Sequence, residues 1–212
     1  MNIHTEKLVS IGSHPLGEEL PYLSQTLLDF ASSLADDLYN LLSKKNGFLA
    51  FESALHVFPA ENSSLIMTLE TWNSDNLWRN NYGTLVKNCL FFAEDIFGGQ
   101  FCIFEDKIYS FDPETGTKEF VANNIEQWAK AILSDYNVLT GFPLAHEWQK
   151  KNGNLPIDKR LLPKIPFVVG GDFVVDNLYS VDSVQGMKIR ADIAQQIKDL
   201  PDGAKINIRV VD

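Results

Sequence analysis

Cysteine is scarce in this chain. Cys89 and Cys102 are the only two in 212 residues, and both lie in or beside apolar runs, with no Cys-x-x-Cys spacing and no neighbouring histidine. That pattern fits buried reduced thiols and argues against a disulfide framework or a thiolate metal site. Histidine is rare too: His4, His14, His56 and His146 are far apart and lack the H-x-x-x-H spacing of a helical zinc pair. The chain has no P-loop and no Gly-x-Ser-x-Gly elbow, so two common enzyme signatures are missing. No apolar run approaches the ~20 residues of a membrane helix. The residues from Met1 to Lys7 have neither the basic lead nor the apolar stretch of a signal peptide, so a cytoplasmic location is expected.

Positive charge is also short. Lys and Arg number 18 against 28 Asp and Glu, for a formal net charge of −10. Residues 1–120 carry 7 basic against 17 acidic side chains, whereas residues 121–212 carry 11 of each, so the whole excess lies in the first part. Such a surface repels nucleic-acid backbones and anionic lipid and attracts basic protein surfaces. Solubility alone is the plainer reading of the same charge.

What the chain has in abundance is a phenylalanine-rich stretch. Five of its fourteen phenylalanines fall between Phe91 and Phe104, more apolar mass than a surface loop tolerates. Beyond Gly98-Gly99 the side chains alternate through Phe104. A turn at Glu105-Asp106, a second run from Lys107 to Phe111, a turn from Asp112 to Gly116 and a return through Phe120 predict a β-meander. Apolar residues on both faces of the first run suit a central strand, or an edge that helices close over.

Before the meander, Leu27, Phe30, Ala31, Leu34, Leu38, Leu41 and Leu42 form one stripe, predicting a single helix from Ser24 to the Lys44-Lys45 end. Residues 1–20 read as an extended lead-in. Phe48–Phe51 reads as a short strand or its remnant, Leu55–Phe58 as a run on to Pro59, and Ser63 or Ser64 as the cap of a helix through Trp72. After the meander, Asn123 and Glu126 predict a capping box for a helix carrying Trp128. Pro143 suits the first turn of another, and residues 155–166 read as a Pro-rich connection. Strands at 177–181 and 206–210 flank a helix at 184–199. The sum is one α+β domain over residues 1–212, mostly antiparallel, with helices packed mainly on one side.

Candidate chemistry is thin. Glu94-Asp95 is an acid pair, but neighbours in a strand point to opposite faces and do not share a site. The pairs Gly98-Gly99 and Gly170-Gly171 read as backbone devices, where a bend or a close approach needs glycine. Neither a catalytic centre, a metal site nor a cofactor is expected.

Asn46-Gly47-Phe48 after an amphipathic helix, then Phe92 through Phe101, then Tyr109 through Gly116 and the Trp128 helix, resemble the SUKH superfamily in their order. That superfamily takes its name from a yeast regulator of cell-wall synthesis and its bacterial relatives. The resemblance covers roughly residues 15–150. Arg160-Leu161-Leu162-Pro163, Pro166-Phe167, Gly170-Gly171 and Asn177-Leu178 look like a C-terminal extension, over 151–212, of some bacterial members. It implies a non-catalytic α+β domain and, for many bacterial members, an immunity protein that binds and neutralises a cognate secreted toxin, often a nuclease. The expected partner is then a basic toxin domain, with no direct nucleic-acid contact. Candidate contacts are Glu94, Asp95, Glu105, Asp106, Asp112 and Glu114 around the meander turns, with Trp72 and Trp78 as anchors. A general interaction scaffold without a toxin is the alternative.

Overall fold

Strands β1 (Phe48–Ala50), β2 (Leu55–Val57), β3 (Leu90–Asp95), β4 (Gln100–Phe104), β5 (Lys107–Phe111) and β6 (Lys118–Ala122) lie side by side in chain order as one antiparallel sheet. The structure is a computed structural model and describes residues 2–61, 67–201 and 203–204. The expected meander is present at β4–β6. Glu105 and Asp106 both take positive φ, 48° and 59°, the twist a two-residue hairpin needs. A bulge at Phe92 shifts the β3–β4 register between Phe91 and Ala93.

The sheet has apolar side chains on both faces. Phe92 and Phe101 pack on Trp128 of α6 (Ile125–Ser134), at ring distances of 5.0 and 5.7 Å. Helices α1 (Ile3–Ile11) and α3 (Ala35–Lys44) share that side, packing on each other, on α6 and, through α1, on β1. On the opposite face a run of rings passes from Phe58 to Trp72, Trp78, Phe91 and Phe111. That layer is supplied by α4 (Leu69–Trp72), a π-helical turn at Asp75–Arg79, α5 (Asn80–Tyr82) and α9 (Ser183–Ile197), whose Met187, Ala191 and Ala194 join the main core. The α+β, antiparallel expectation therefore holds. Gathering on one side describes α1, α3 and α6, while α9 covers the other face.

Several boundaries differ from those expected. The lead-in is helical: α1 begins where Glu126 accepts the backbone N–H groups of His4 and Thr5, a cap no local pattern announces. The long helix is broken into α2 (Gln25–Ala31) and α3 at Ser32, whose φ is 48°. Ser33 next to it donates its backbone N–H and its hydroxyl to Asp106, an alternative to continuing the helix. The α6 cap is Asn124 rather than Asn123: its side chain accepts from Gln127 N, and Gln127 Oε1 accepts from Asn123 N. Gln127 thus takes the role expected of Glu126, which is turned to α1.

Beyond α6, α7 (Tyr136–Leu139) leads to α8 (Phe142–Asn152), with Pro143 in its first turn as expected. The Pro-rich connection contains a strand, β7 (Lys159–Pro163), paired antiparallel with β8 (Leu178–Asp182). Leu161 N donates to Ile96 O, so this hairpin is tied to the β3–β4 turn. Ala54, Ile96, Ala145, Leu155, Leu161 and Leu178 make a second, smaller core beneath it. The Ser63 or Ser64 cap and the 206–210 strand lie outside the described residues. Within them, Thr68 caps α4 by accepting from Thr71 N.

Candidate functional site

Successive turns of a meander lie at opposite ends of the sheet, which divides the predicted acids into two groups. The β3–β4 and β5–β6 turns share one end and bring together Glu94, Asp95, Asp112 and Glu114. Glu105 and Asp106 are exposed at the far end, with Asp106 occupied by Ser33.

Behind the first end lies a buried polar cluster. Glu94 and Arg160 are both 1% exposed, and Arg160 Nη2 lies 2.7 Å from Glu94 Oε1 at an angle too oblique for a good hydrogen bond. His56 Nδ1 is 3.0 Å from the same oxygen, and Gln100 Nε2 donates to Glu94 Oε2 at 3.2 Å. Gln100 Oε1 in turn accepts from Trp72 Nε1 at 2.8 Å. Desolvation works to raise the Glu94 pKa, but the Arg160 charge and the His56 and Gln100 contacts outweigh it and hold the carboxyl below its ordinary range. Desolvation pulls His56 the other way, below 6.5, favouring the neutral ring. The cluster is sealed from solvent, so its work is to fasten β7 to the sheet.

The accessible part is an open pocket of about 320 Å³ between the two turns, α7 and the loop from β7 to β8. Asp95, Asp112, Glu114 and Glu119 supply its carboxylates, and Arg190 of α9 its cation. Phe97, Phe167 and Phe173 supply an aromatic wall, with Phe167 and Phe173 stacked in parallel 3.9 Å apart. Arg190 is buried and already donates to the carbonyls of Phe97 and Gly186. Asp112 shapes its own turn: its Oδ1 accepts from Glu114 N and its Oδ2 from Thr115 Oγ1. Glu114, 4% exposed, accepts from Val168 N and ties the β7–β8 loop to the β5–β6 turn. Burial raises its pKa, against that hydrogen bond and the Arg190 charge.

Both glycine pairs have the close approaches expected of them. A Cβ on Gly98 would come within 2.6 Å of Arg190 Nη2 at a φ of +74°, and one on Gly171 would run into the backbone oxygen of Ile165.

Asp95 lines the pocket while its Oδ1 accepts from Phe97 N and Gly99 N. Desolvation raises its carboxyl to about 7, against those two bonds and Arg190 and with the help of Glu94. Between its ordinary 3.8 and about 7 the native state keeps a proton that the unfolded chain has lost, so stability falls as pH rises through that window. Asp95→Asn retains the accepting oxygen and carries no charge. Thermal melts between pH 4 and 8 are expected to show a shallower decline of Tm for the variant than for the parent.

Among the sequence candidates, Trp72 and Trp78 are fully buried and cannot anchor a partner; aromatic and polar residues alternate there because the rings face the core. Glu94 and Glu114 are likewise enclosed, while Asp112, Glu105 and Asp106 are exposed and Asp95 is half-buried. The sequence reading missed Arg160, Arg190, Glu119 and the Phe167–Phe173 stack. The one available signal for the last was that phenylalanines flank Gly170-Gly171.

Among the described residues no group of His, Cys, Asp or Glu side chains is arranged to hold a metal ion, and no helix is long and apolar enough to cross a membrane. Cys89 and Cys102 are buried and free.

No protein-family model matches the chain, and no curated protein matches it. Among solved structures, it is similar to that of Atu4351 from Agrobacterium tumefaciens, with a TM-score of 0.56 and 14% identity over 88% of this chain and 87% of that one. The likeness is one of fold.

Proposed function

We propose that this chain is a non-catalytic, cytoplasmic immunity protein of the SUKH type, which neutralises a cognate toxin with a basic working surface, such as a nuclease, by stoichiometric binding. The observation that carries this reading is the acidic rim of one open pocket, where Asp112 and Glu119 are exposed and Asp95 is half-buried, with one buried arginine beside them already committed to carbonyls. A nuclease must present positive charge to its substrate, and a shaped acidic surface can occupy that site and be steered onto it. The polar cluster that most resembles catalytic machinery, Glu94 with His56, is closed to any substrate. The resemblance in motif order points the same way.

Co-expression is the test. The reading frame beside this gene should be toxic when expressed alone in a bacterial host and harmless when this chain is made with it, with a one-to-one complex recoverable from the survivors. A harmless neighbour, or killing that this chain does not relieve, would overturn the toxin reading in favour of a scaffold.

A further inference from the structure

The loop between β7 and β8 carries an unusual set of exposed side chains. Ile165, Val169, Phe173 and Val174 are 58, 38, 62 and 48% exposed, and Val138 of α7, on the pocket wall, is 74% exposed. Exposed apolar residues are ordinary singly, but a group on one loop beside a pocket marks a contact surface.

The loop is built to hold them outward. Asn177 Oδ1 accepts from Ile165 N, while its Nδ2 donates to Ile165 O and Asp172 O. Gly171 N donates to Pro166 O, and Val168 N to Glu114. These bonds order the loop before any partner arrives, which lowers the entropy lost on docking.

We infer that this end of the sheet is a docking surface for a basic protein, with the pocket receiving an arginine side chain and the β7–β8 loop packing on aliphatic groups around it. The inference rests on the binding-protein reading above and names the surface that would serve it. Charge selects a cation: Asp112 and Glu119 stand exposed at the pocket, whereas its one arginine is buried and already engaged. Shape selects a guanidinium over an ammonium. Phe173 stacks one face on Phe167, with an interplanar angle of 4°, and remains largely exposed, offering a flat ring to a planar cation. Asp112 and Glu119 at the exposed margin supply carboxylates for its N–H groups. An anionic membrane is disfavoured by the same charges.

The purified protein can be titrated with N-acetyl-arginine methylamide, its lysine counterpart and its citrulline counterpart, followed by amide NMR shifts. The arginine probe should perturb residues 112–119, 138–139 and 165–174, and bind about tenfold more tightly than neutral citrulline. Lysine should fall between them. The D112N/E119Q double variant keeps one oxygen at position 112 to accept from Glu114 N, while the Thr115 hydroxyl, which loses its bond to the second oxygen, retains Thr117 Oγ1 as a partner. It should lose most of the arginine response with an unchanged amide spectrum elsewhere, and Phe173→Ser should weaken that response. Equal responses to arginine and citrulline, shifts centred on another face, or an undiminished response in the double variant would each overturn the inference. Such a failure with toxin rescue intact removes this surface and leaves the immunity reading standing. Arginine binding without rescue keeps the surface and removes the toxin.

Discussion

Arg160→Met is expected to lower the stability of the protein by about 3–5 kcal/mol, because it leaves Glu94 buried without its cation. Both side chains are 1% exposed, and the remaining partners of Glu94, the His56 ring and the Gln100 amide, do not replace a full positive charge. The double variant Glu94→Gln/Arg160→Met removes both charges and should recover much of the loss; the two singles and the double can be compared by urea denaturation. The pH dependence should also change sign. In the parent, Glu94 lies below its ordinary 4.5, so its contribution is present above that pH and fades as pH falls through the folded value. Without Arg160, desolvation dominates, the carboxyl rises, and stability falls as pH climbs toward neutrality.

Trp128→Ala should cost a similar amount, about 3–5 kcal/mol, since it empties the space between α6 and the Phe92 and Phe101 rings. The informative comparison is with phenylalanine. Trp128 Nε1 meets no acceptor among the described residues, so Trp128→Phe gives up packing volume but no hydrogen bond. Trp72→Phe deprives Gln100 Oε1 of its buried donor, which carries an additional penalty of about 1–3 kcal/mol. Trp72→Phe is therefore expected to be the more damaging of the two, and equal midpoints in urea would contradict the role given to Gln100.

The meander was legible because its information is local: two turn signals separate alternating runs, and β4, β5 and β6 follow them. Helix α8 likewise announces itself through Pro143 in its first turn. The misses depend on partners remote in the chain. Helix α1 is capped by Glu126, the break at Ser32 answers Asp106, and β7 is fixed by β8 and by the Arg160–Glu94 pair. At the site, the turn acids could be nominated from sequence, but which turns share an end follows only from the meander's topology. Trp72 and Trp78 were misplaced because a mixture of rings and polar groups does not say which edge faces inward. The Phe167–Phe173 stack escaped because two glycines between apolar residues have a sufficient backbone explanation.

The central claim is that a negatively charged, pocketed surface meets a basic protein. Its most direct test is the association rate of the purified chain with the product of the neighbouring gene, measured by stopped flow across a series of salt concentrations. The rate should fall steeply as salt rises, and D112N/E119Q should be slower than the parent at low salt and converge with it at high salt. A rate indifferent to salt and to these substitutions would contradict it.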